Sequence, residues 1–208
     1  MVPSIPSKDK PTLMIIIASI REGRVGLPVG RWFEAVAKAQ GLFDVDLVDI
    51  AELNLPLMTE PFHPSMQCYT QEQTKAWSQR VAAADAFAFV MPEYNHSFNA
   101  PLKNALDYLF NEWANKPVGF VSYGGVSAGS RAVAALQPVL YSLQMHAIQP
   151  AVHVPFVSHF VSAEKVFEPN AILSDSSIEL LRALRLAVDK LDEEAALRFA
   201  VPVRTSDG

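Results

Sequence analysis

Short apolar runs alternate along the chain with segments whose apolar residues recur every three to four positions. The run TLMIIIA at 12–18 is apolar and rich in β-branched residues, which is typical of a strand buried on both faces of a parallel sheet. The segment LPVGRWFEAVAKAQ at 27–40 has helical spacing and ends at Gly41. The same alternation predicts strands over 12–18, 43–50, 85–91, 117–123 and 147–154, and helices over 27–40, 70–84, 101–110, 127–145 and 176–199.

Five strands alternating with helices indicate a doubly wound α/β fold, in which helices cover both faces of a parallel sheet. Ligands of such a fold bind where loops leave the carboxyl ends of the strands. No repeat or shift in composition marks a second domain, so we expect one domain over 12–199 and flexible segments at 1–11 and 200–208. The loop over 51–69 is too long for a simple connection and is expected to cover part of the molecule.

Composition narrows the class of protein. Half of the residues are apolar and 19% are charged, which excludes an intrinsically disordered chain. The net charge is −5, so the basic surface of a nucleic-acid-binding protein is not expected. Cys68 is the only cysteine, which excludes an internal disulfide and a multi-cysteine metal site, and the histidines lack metal-site spacing. That spacing gives the expectation of a protein without a metal ion. The apolar runs are too short to span a bilayer, so we expect a cytoplasmic protein.

The loop after the first predicted strand suits a phosphate group. Its sequence SIREGRVG places Ser19, Arg21 and Arg24 just before a helix N-terminus, where free N–H groups and guanidinium groups favour an anion. A surface turn with solvated arginines is the alternative. The loop has neither the GxxxxGK[ST] nor the GxGxxG pattern, which disfavours a nucleotide triphosphatase and a dinucleotide-binding domain.

Loops after the third and fourth predicted strands suit a flat ring. The sequence PEYN at 92–95 combines a proline, an aromatic face and amide groups, and Asn99 is placed to cap the following helix ahead of Pro101. The sequence SYGG at 122–125 lets backbone approach a ring closely, because its glycines have no side chain.

Taken together, these strings resemble the NADPH-dependent FMN reductase family. The resemblance rests on SIREGRVG, the LPLM segment at 55–58, PEYNHSFNAPLKNALDYL after the third predicted strand, and SYGG. It runs from about residue 12 to residue 153, and the chain is most similar to the branch of small quinone and azo-dye reductases. One departure is Ala18, where the family usually has glycine. The resemblance implies a flavodoxin-like fold of five parallel strands in the order 2-1-3-4-5.

The same resemblance implies the cofactors and the residues that hold them. Ser19 and Arg21, with backbone N–H groups near Val25, would hold the FMN phosphate. The residues expected at the isoalloxazine ring are Pro92, Glu93, Tyr94, Asn95, Tyr123 and Gly124. Hydride would pass from NADPH to FMN and then to a quinone, azo dye, free flavin or metal oxyanion by a ping-pong mechanism. No catalytic acid or base is expected, because the flavin supplies the chemistry.

Two classes of function remain open at this stage: an NAD(P)H-dependent FMN oxidoreductase, and a flavin-binding electron carrier or redox-sensing protein that binds a partner. The modest acidity of the chain favours the enzyme. A homodimer, or a dimer of dimers, is expected: the resemblance implies a contact through the helix at 101–110, and Tyr108, Phe110 and Trp113 form a large apolar group to leave on the surface of a monomer. His96 is a candidate for the acceptor pocket, although a polar loop residue is the simpler interpretation, and Cys68 is interpreted as an incidental thiol.

Overall fold

A computed structural model describes residues 10–200 of the chain. Its strands are β1 (Thr12–Ile17), β2 (Asp44–Asp49), β3 (Ala86–Pro92), β4 (Pro117–Tyr123), β5 (His146–Ala147) and β6 (Val152–Val154). Its α-helices are α1 (Gly26–Gln40), α2 (Ile50–Leu53), α3 (Glu72–Ala82), α4 (Ala100–Asp107), α5 (Ser130–Ser142) and α6 (Ala171–Ala200). Single 3-10 turns lie at Pro64–Met66, Asn111–Trp113 and Val157–Phe160. Apart from residues 10, 11 and 200, the segments expected to be flexible fall outside the described residues.

The strands form one parallel sheet in the order β2-β1-β3-β4-β5, which confirms the predicted 2-1-3-4-5 order. The predicted strand over 147–154 is divided. β5 pairs with the start of β4, and β6 pairs with its end. The gap between them contains Pro150, whose ring nitrogen has no hydrogen to give to the sheet ladder.

Alternation along the strands divides the core into two halves. In β1, Leu13, Ile15 and Ile17 face the core beneath α1 and α6, while Met14 and Ile16 face the core beneath α3, α4 and α5. All five side chains are fully buried. A strand with both faces covered must be apolar at every position, which explains the unbroken run in the sequence. The helices therefore hold the carboxyl ends of β1, β3 and β4 in fixed positions.

Two helices begin three or more residues away from their predicted first residues. α5 starts at Ser130 rather than 127, because Gly129 adopts a left-handed φ of 83° and keeps residues 127–129 in the preceding loop. α6 starts at Ala171 rather than 176. The Asn170 side chain, just before this helix, accepts a hydrogen bond from the Leu173 amide in the first turn (2.9 Å).

The aromatic residues expected at a subunit contact are largely in the core instead. Tyr108 and Trp113 have no exposed surface, and the Trp113 ring lies 4.9 Å from that of Phe87 and 6.0 Å from that of Trp77. Phe110 is partly buried against the same cluster. Burial within one chain accounts for Tyr108 and Trp113, so the sequence argument for a dimer was wrong for these two rings, whereas Phe110 keeps part of its surface exposed.

No helix among residues 10–200 is long and apolar enough to cross a membrane.

Candidate functional site

A cleft of about 350 Å³ opens at the carboxyl ends of β1, β3 and β4. Eight of the nine residues predicted to bind the cofactor line it: Ser19, Arg21, Val25, Pro92, Glu93, Tyr94, Tyr123 and Gly124. The ninth, Asn95, is exposed on the neighbouring turn and is absent from the described lining residues, as is His96. Three loops that are far apart in sequence therefore meet at one site, as the parallel topology requires.

The loop after β1 presents hydrogen-bond donors to this cleft. A turn closes between the Arg24 amide and the Arg21 carbonyl (3.1 Å), with Gly23 in the left-handed region at φ 68°. α1 then begins at Gly26, and no side chain caps its first turn. Such a helix start leaves backbone N–H groups unpaired and carries a partial positive charge. This end of the cleft is suited to an anion.

Arg24 is fixed by an ion pair that the sequence interpretation missed. Its guanidinium donates to the Asp49 carboxylate, whose side chain is 4% exposed, at the end of β2. Asp49 also accepts a hydrogen bond from the Ala51 amide (3.0 Å) at the start of α2. The parallel register sets Ile17 opposite Asp49, so the acidic end of β2 lies beside the loop after β1. The signal in the sequence that could have indicated this ion pair was the acidic residue Asp49 near the end of the predicted strand over 43–50.

Three hydroxyl groups meet at the start of α1. The hydroxyls of Ser19 and Tyr94 share a hydrogen bond of 3.2 Å. The Tyr123 hydroxyl packs against Gly26 so closely that a Cβ on this glycine would lie 2.3 Å from the phenol oxygen. Glycine is therefore required at the first position of α1, because any side chain would displace the Tyr123 ring.

The loop after β3 is a tight hairpin turn. Tyr94 and Ser97 exchange two backbone hydrogen bonds of 2.9 Å, and both central residues, Asn95 and His96, have positive φ values of 50° and 66°. Two positive φ angles define a type I′ turn, in which asparagine is a favoured residue. The turn holds the Tyr94 ring at the mouth of the cleft.

Asn99 has a different role from the one predicted. It occupies the N-cap position of α4, but its side chain makes no capping bond. Instead its amide nitrogen donates to the Ala18 carbonyl (2.6 Å), which ties the loop after β3 to the loop after β1.

Glu93 is bound to α5. Its carboxylate, 5% exposed, accepts hydrogen bonds from the Arg131 Nε (2.6 Å) and the Arg131 amide (3.2 Å). Burial by itself would raise the pKa of Glu93, but hydrogen bonds from Arg131 and Ser127 and the charge of Arg131 lower it below its usual value. The carboxylate was expected at the ring, and these bonds direct it toward the loop before α5. Sequence reasoning missed Arg131, the second residue of α5.

The glycine loop after β4 is held from several sides. The Ser122 hydroxyl donates to the Ala128 carbonyl (2.9 Å), so the His153 Nδ1 at 2.6 Å must be the donor of the second bond to this oxygen. A Cβ on Gly129 would lie 2.7 Å from the Tyr123 nitrogen, so this position also requires glycine. The Val157 amide donates to the Gly124 carbonyl (3.2 Å), which brings Val157, another unpredicted residue, into the wall of the cleft.

The long loop lies against α4 rather than over the cleft. The Met58 amide donates to Asn104 (3.0 Å), and the hydroxyl of Tyr108 donates to the Pro56 carbonyl (3.0 Å). Residues 51–69 contribute nothing to the described lining of the cleft, so the part of the molecule that this loop covers is α4.

At the far end of the loop lies a buried carboxylate, Glu112, which is 5% exposed. It accepts hydrogen bonds from the Ser78 hydroxyl (2.6 Å) and the Tyr69 hydroxyl (2.9 Å). Burial would raise the pKa of Glu112, but these hydrogen bonds outweigh it and lower the pKa. Glu112 therefore fastens the loop to α3.

Over residues 10–200, no group of three or more His, Cys, Asp or Glu side chains is placed to hold a metal ion. Cys68 is exposed, and its thiol donates to the Met66 carbonyl (3.4 Å). The donors of the cleft instead suit FMN: a helix N-terminus and arginines at one end, and at the other a tight turn and a glycine loop that leave room for a planar ring.

The sheet order and this cleft define a flavodoxin-like α/β protein with an anion site beside an aromatic and glycine-lined wall. Solved structures agree on the fold. A flavoenzyme NAD(P)H:(acceptor) oxidoreductase from Paracoccus denitrificans superposes with a TM-score of 0.64 at 18% identity, covering 88% of this chain and 98% of that one.

Sequence comparison identifies the family. The model of the family described as NADPH-dependent FMN reductase matches residues 11–159. An NAD(P)H-dependent FMN reductase of Schizosaccharomyces pombe is 35% identical over 189 residues, which cover 83% of this chain and 94% of that protein. An NAD(P)H:quinone oxidoreductase of Solanum tuberosum is 32% identical over 151 residues, covering 71% of this chain and 73% of that protein. This chain belongs to the NADPH-dependent FMN reductase family and is an oxidoreductase.

Proposed function

We propose that the chain binds FMN in the cleft and uses NADPH to reduce a quinone. One observation carries this proposal. The uncapped N-terminus of α1 and a wall lined by aromatic residues and glycine lie in the same cleft at one edge of the sheet. A volume of about 350 Å³ is within the range of small-molecule sites. The names of the fission yeast and potato relatives support the reductant, the flavin and the quinone.

Each part of the cleft has a task in this proposal. Ser19, Arg21 and the backbone near Val25 hold the phosphate, because the uncapped start of α1 and the Arg21 guanidinium supply donors and positive charge there. Pro92, Tyr94 and Gly124 border the ring, and Asn95 contributes through the turn it forms with His96. Glu93 keeps the glycine loop in place through Arg131. When bound, FMN supplies the hydride-accepting and electron-donating chemistry.

The two substrates use the same open side of the cleft in turn. The nicotinamide and the quinone both have to reach the same face of the bound flavin, so the nicotinamide must leave before the quinone enters. Initial rates over a grid of NADPH and benzoquinone concentrations test this order, with parallel lines expected in double-reciprocal plots. Intersecting lines would indicate a complex with both substrates and contradict the shared site.

The range of acceptors and the choice of nucleotide need a direct comparison. Turnover with quinones, azo dyes, ferricyanide and free FMN, each with NADPH and NADH, is expected to be fastest with a quinone and NADPH. Turnover with ferricyanide alone would point to the electron-carrier alternative. We also retain the cytoplasmic location and the homodimer as proposals.

The homodimer now rests on a different surface from the buried aromatic rings. Phe110, Pro138 and Val139 line a groove between α4 and α5, and Leu57 and Tyr141 are 79% and 87% exposed. An apolar groove and exposed apolar side chains on the elements that border it favour association with a second copy. Light scattering of the dilute protein is expected to give twice the chain mass or four times it, and a fully active monomer would contradict the proposal.

A further inference from the structure

Among the buried side-chain atoms of residues 10–200 that lack a hydrogen-bond partner, two belong to the cleft. They are the Tyr123 hydroxyl oxygen and the Arg24 Nε. Leaving a buried polar group unpaired is unfavourable, because the group loses its hydrogen bonds to water, so such atoms are few in native proteins. Two of them in one cleft indicate a ligand that completes their bonding.

The chemistry of these atoms identifies the ligand as an anion. Arg24 can only donate hydrogen bonds. Burial, with a smaller effect of nearby Tyr94, raises the pKa of the Tyr123 hydroxyl against the opposing effects of Ser19 and Arg24, so it keeps its proton and can donate as well. The free N–H groups at the start of α1 are donors too. A partner for all three must supply several acceptor atoms close together, as a phosphate dianion does.

The position of the Tyr123 hydroxyl agrees with this chemistry. It packs against Gly26, the first residue of α1, and not at the glycine loop where its own backbone lies. Ser19 lies beside it, but the Ser19 hydroxyl pairs with Tyr94. The phenol therefore reaches from the end of β4 across the cleft to the end where phosphate is expected.

We infer that the Tyr123 hydroxyl donates a hydrogen bond to the phosphate of FMN and so distinguishes FMN from riboflavin. This inference rests on the proposed function, and it changes the role of Tyr123 from a neighbour of the ring to a phosphate-binding residue. The ring of Tyr123 still forms part of the cleft wall, while its hydroxyl oxygen lies at the start of α1, where the phosphate is expected.

The variant Tyr123→Phe removes the oxygen and leaves the ring. Fluorescence titration of the apoprotein is expected to show an FMN dissociation constant about 10- to 100-fold higher, the range for losing one hydrogen bond to a charged group. The dissociation constant for riboflavin is expected to stay the same. Because an unpaired hydroxyl is removed, the melting temperature of the apoprotein is expected to hold or to rise by about 2–4 °C.

Tyr108→Phe is the matched control. Tyr108 is equally buried, but its hydroxyl is paired with the Pro56 carbonyl and lies away from the cleft. This control is expected to lower the melting temperature and leave FMN binding unchanged. An unchanged FMN dissociation constant in Tyr123→Phe would overturn the inference, as would an equal loss of FMN and riboflavin binding. Failure of the unaltered chain to bind FMN would instead overturn the proposed function, and the inference with it.

Discussion

The contact between Glu93 and Arg131 should measurably stabilise the fold. The Glu93 carboxylate is 5% exposed, whereas the Arg131 side chain is 46% exposed. A hydrogen bond to a charged group contributes about 1.5–3 kcal/mol when buried, and an exposed ion pair about 0.2–1 kcal/mol. This pair lies between those limits, so we expect a coupling energy of about 1–1.5 kcal/mol.

A double-mutant cycle measures that coupling. The variants are Glu93→Gln, Arg131→Ala and the two combined, and the free energy of unfolding is obtained from urea denaturation of the apoprotein at pH 7. Arg131→Ala should be the more damaging single change, because it leaves a nearly buried carboxylate without its cation. The double variant should be less destabilised than the sum of the two single variants.

The coupling should also depend on pH in a definite direction. The pKa of Glu93 is lower in the folded chain than in the unfolded chain, where a glutamate titrates near 4.3. Its contribution is therefore fully present above about pH 5 and declines as the pH falls through the lowered pKa of the folded state. A coupling energy below about 0.3 kcal/mol at pH 7, or one that grows on acidification, would refute the reasoning.

Three further predictions follow from the same structure. Glu112→Gln is expected to lower the free energy of unfolding by about 2 kcal/mol, because an amide replaces one acceptor oxygen facing Ser78 and Tyr69; urea denaturation measures it, and no loss would contradict the anchoring role. Gly30→Ala is expected to cost about 1–3 kcal/mol, since the new Cβ would lie 2.5 Å from the buried Ile17 side chain, while Gly125→Ala, with no neighbour within 4 Å, is the neutral control. Arg21→Ala is expected to weaken FMN binding by about 1.5–3 kcal/mol with Arg21→Lys rescuing only in part, and unchanged affinity would place the phosphate elsewhere.

The sheet was predictable because its cause is local. A strand covered on both faces is apolar at nearly every position, and β1 and β3 satisfy this within single short runs, as does β4 apart from Ser122. The exception is the last strand, where one proline divides the ladder although the flanking residues favour extended backbone.

The site was predictable as a set of loops but not as a set of contacts. Parallel topology brings the ends of β1, β3 and β4 together whatever their side chains are. Which atoms then meet depends on packing across the sheet edge. The Glu93 carboxylate accepts hydrogen bonds from Arg131 in α5, and the Tyr123 hydroxyl lies against Gly26 at the start of α1. Neither contact can be derived from spacing along the chain.

The central claim is that the cleft holds FMN, and the flavin carried by the purified protein tests it most directly. The protein is denatured by heat, the precipitate is removed, and the released flavin is separated by chromatography and measured against the protein concentration. We expect FMN at one molecule per chain, because one end of the cleft offers donors for a single terminal phosphate. Recovery of FAD alone, or an apoprotein that fails to take up added FMN, would contradict the account.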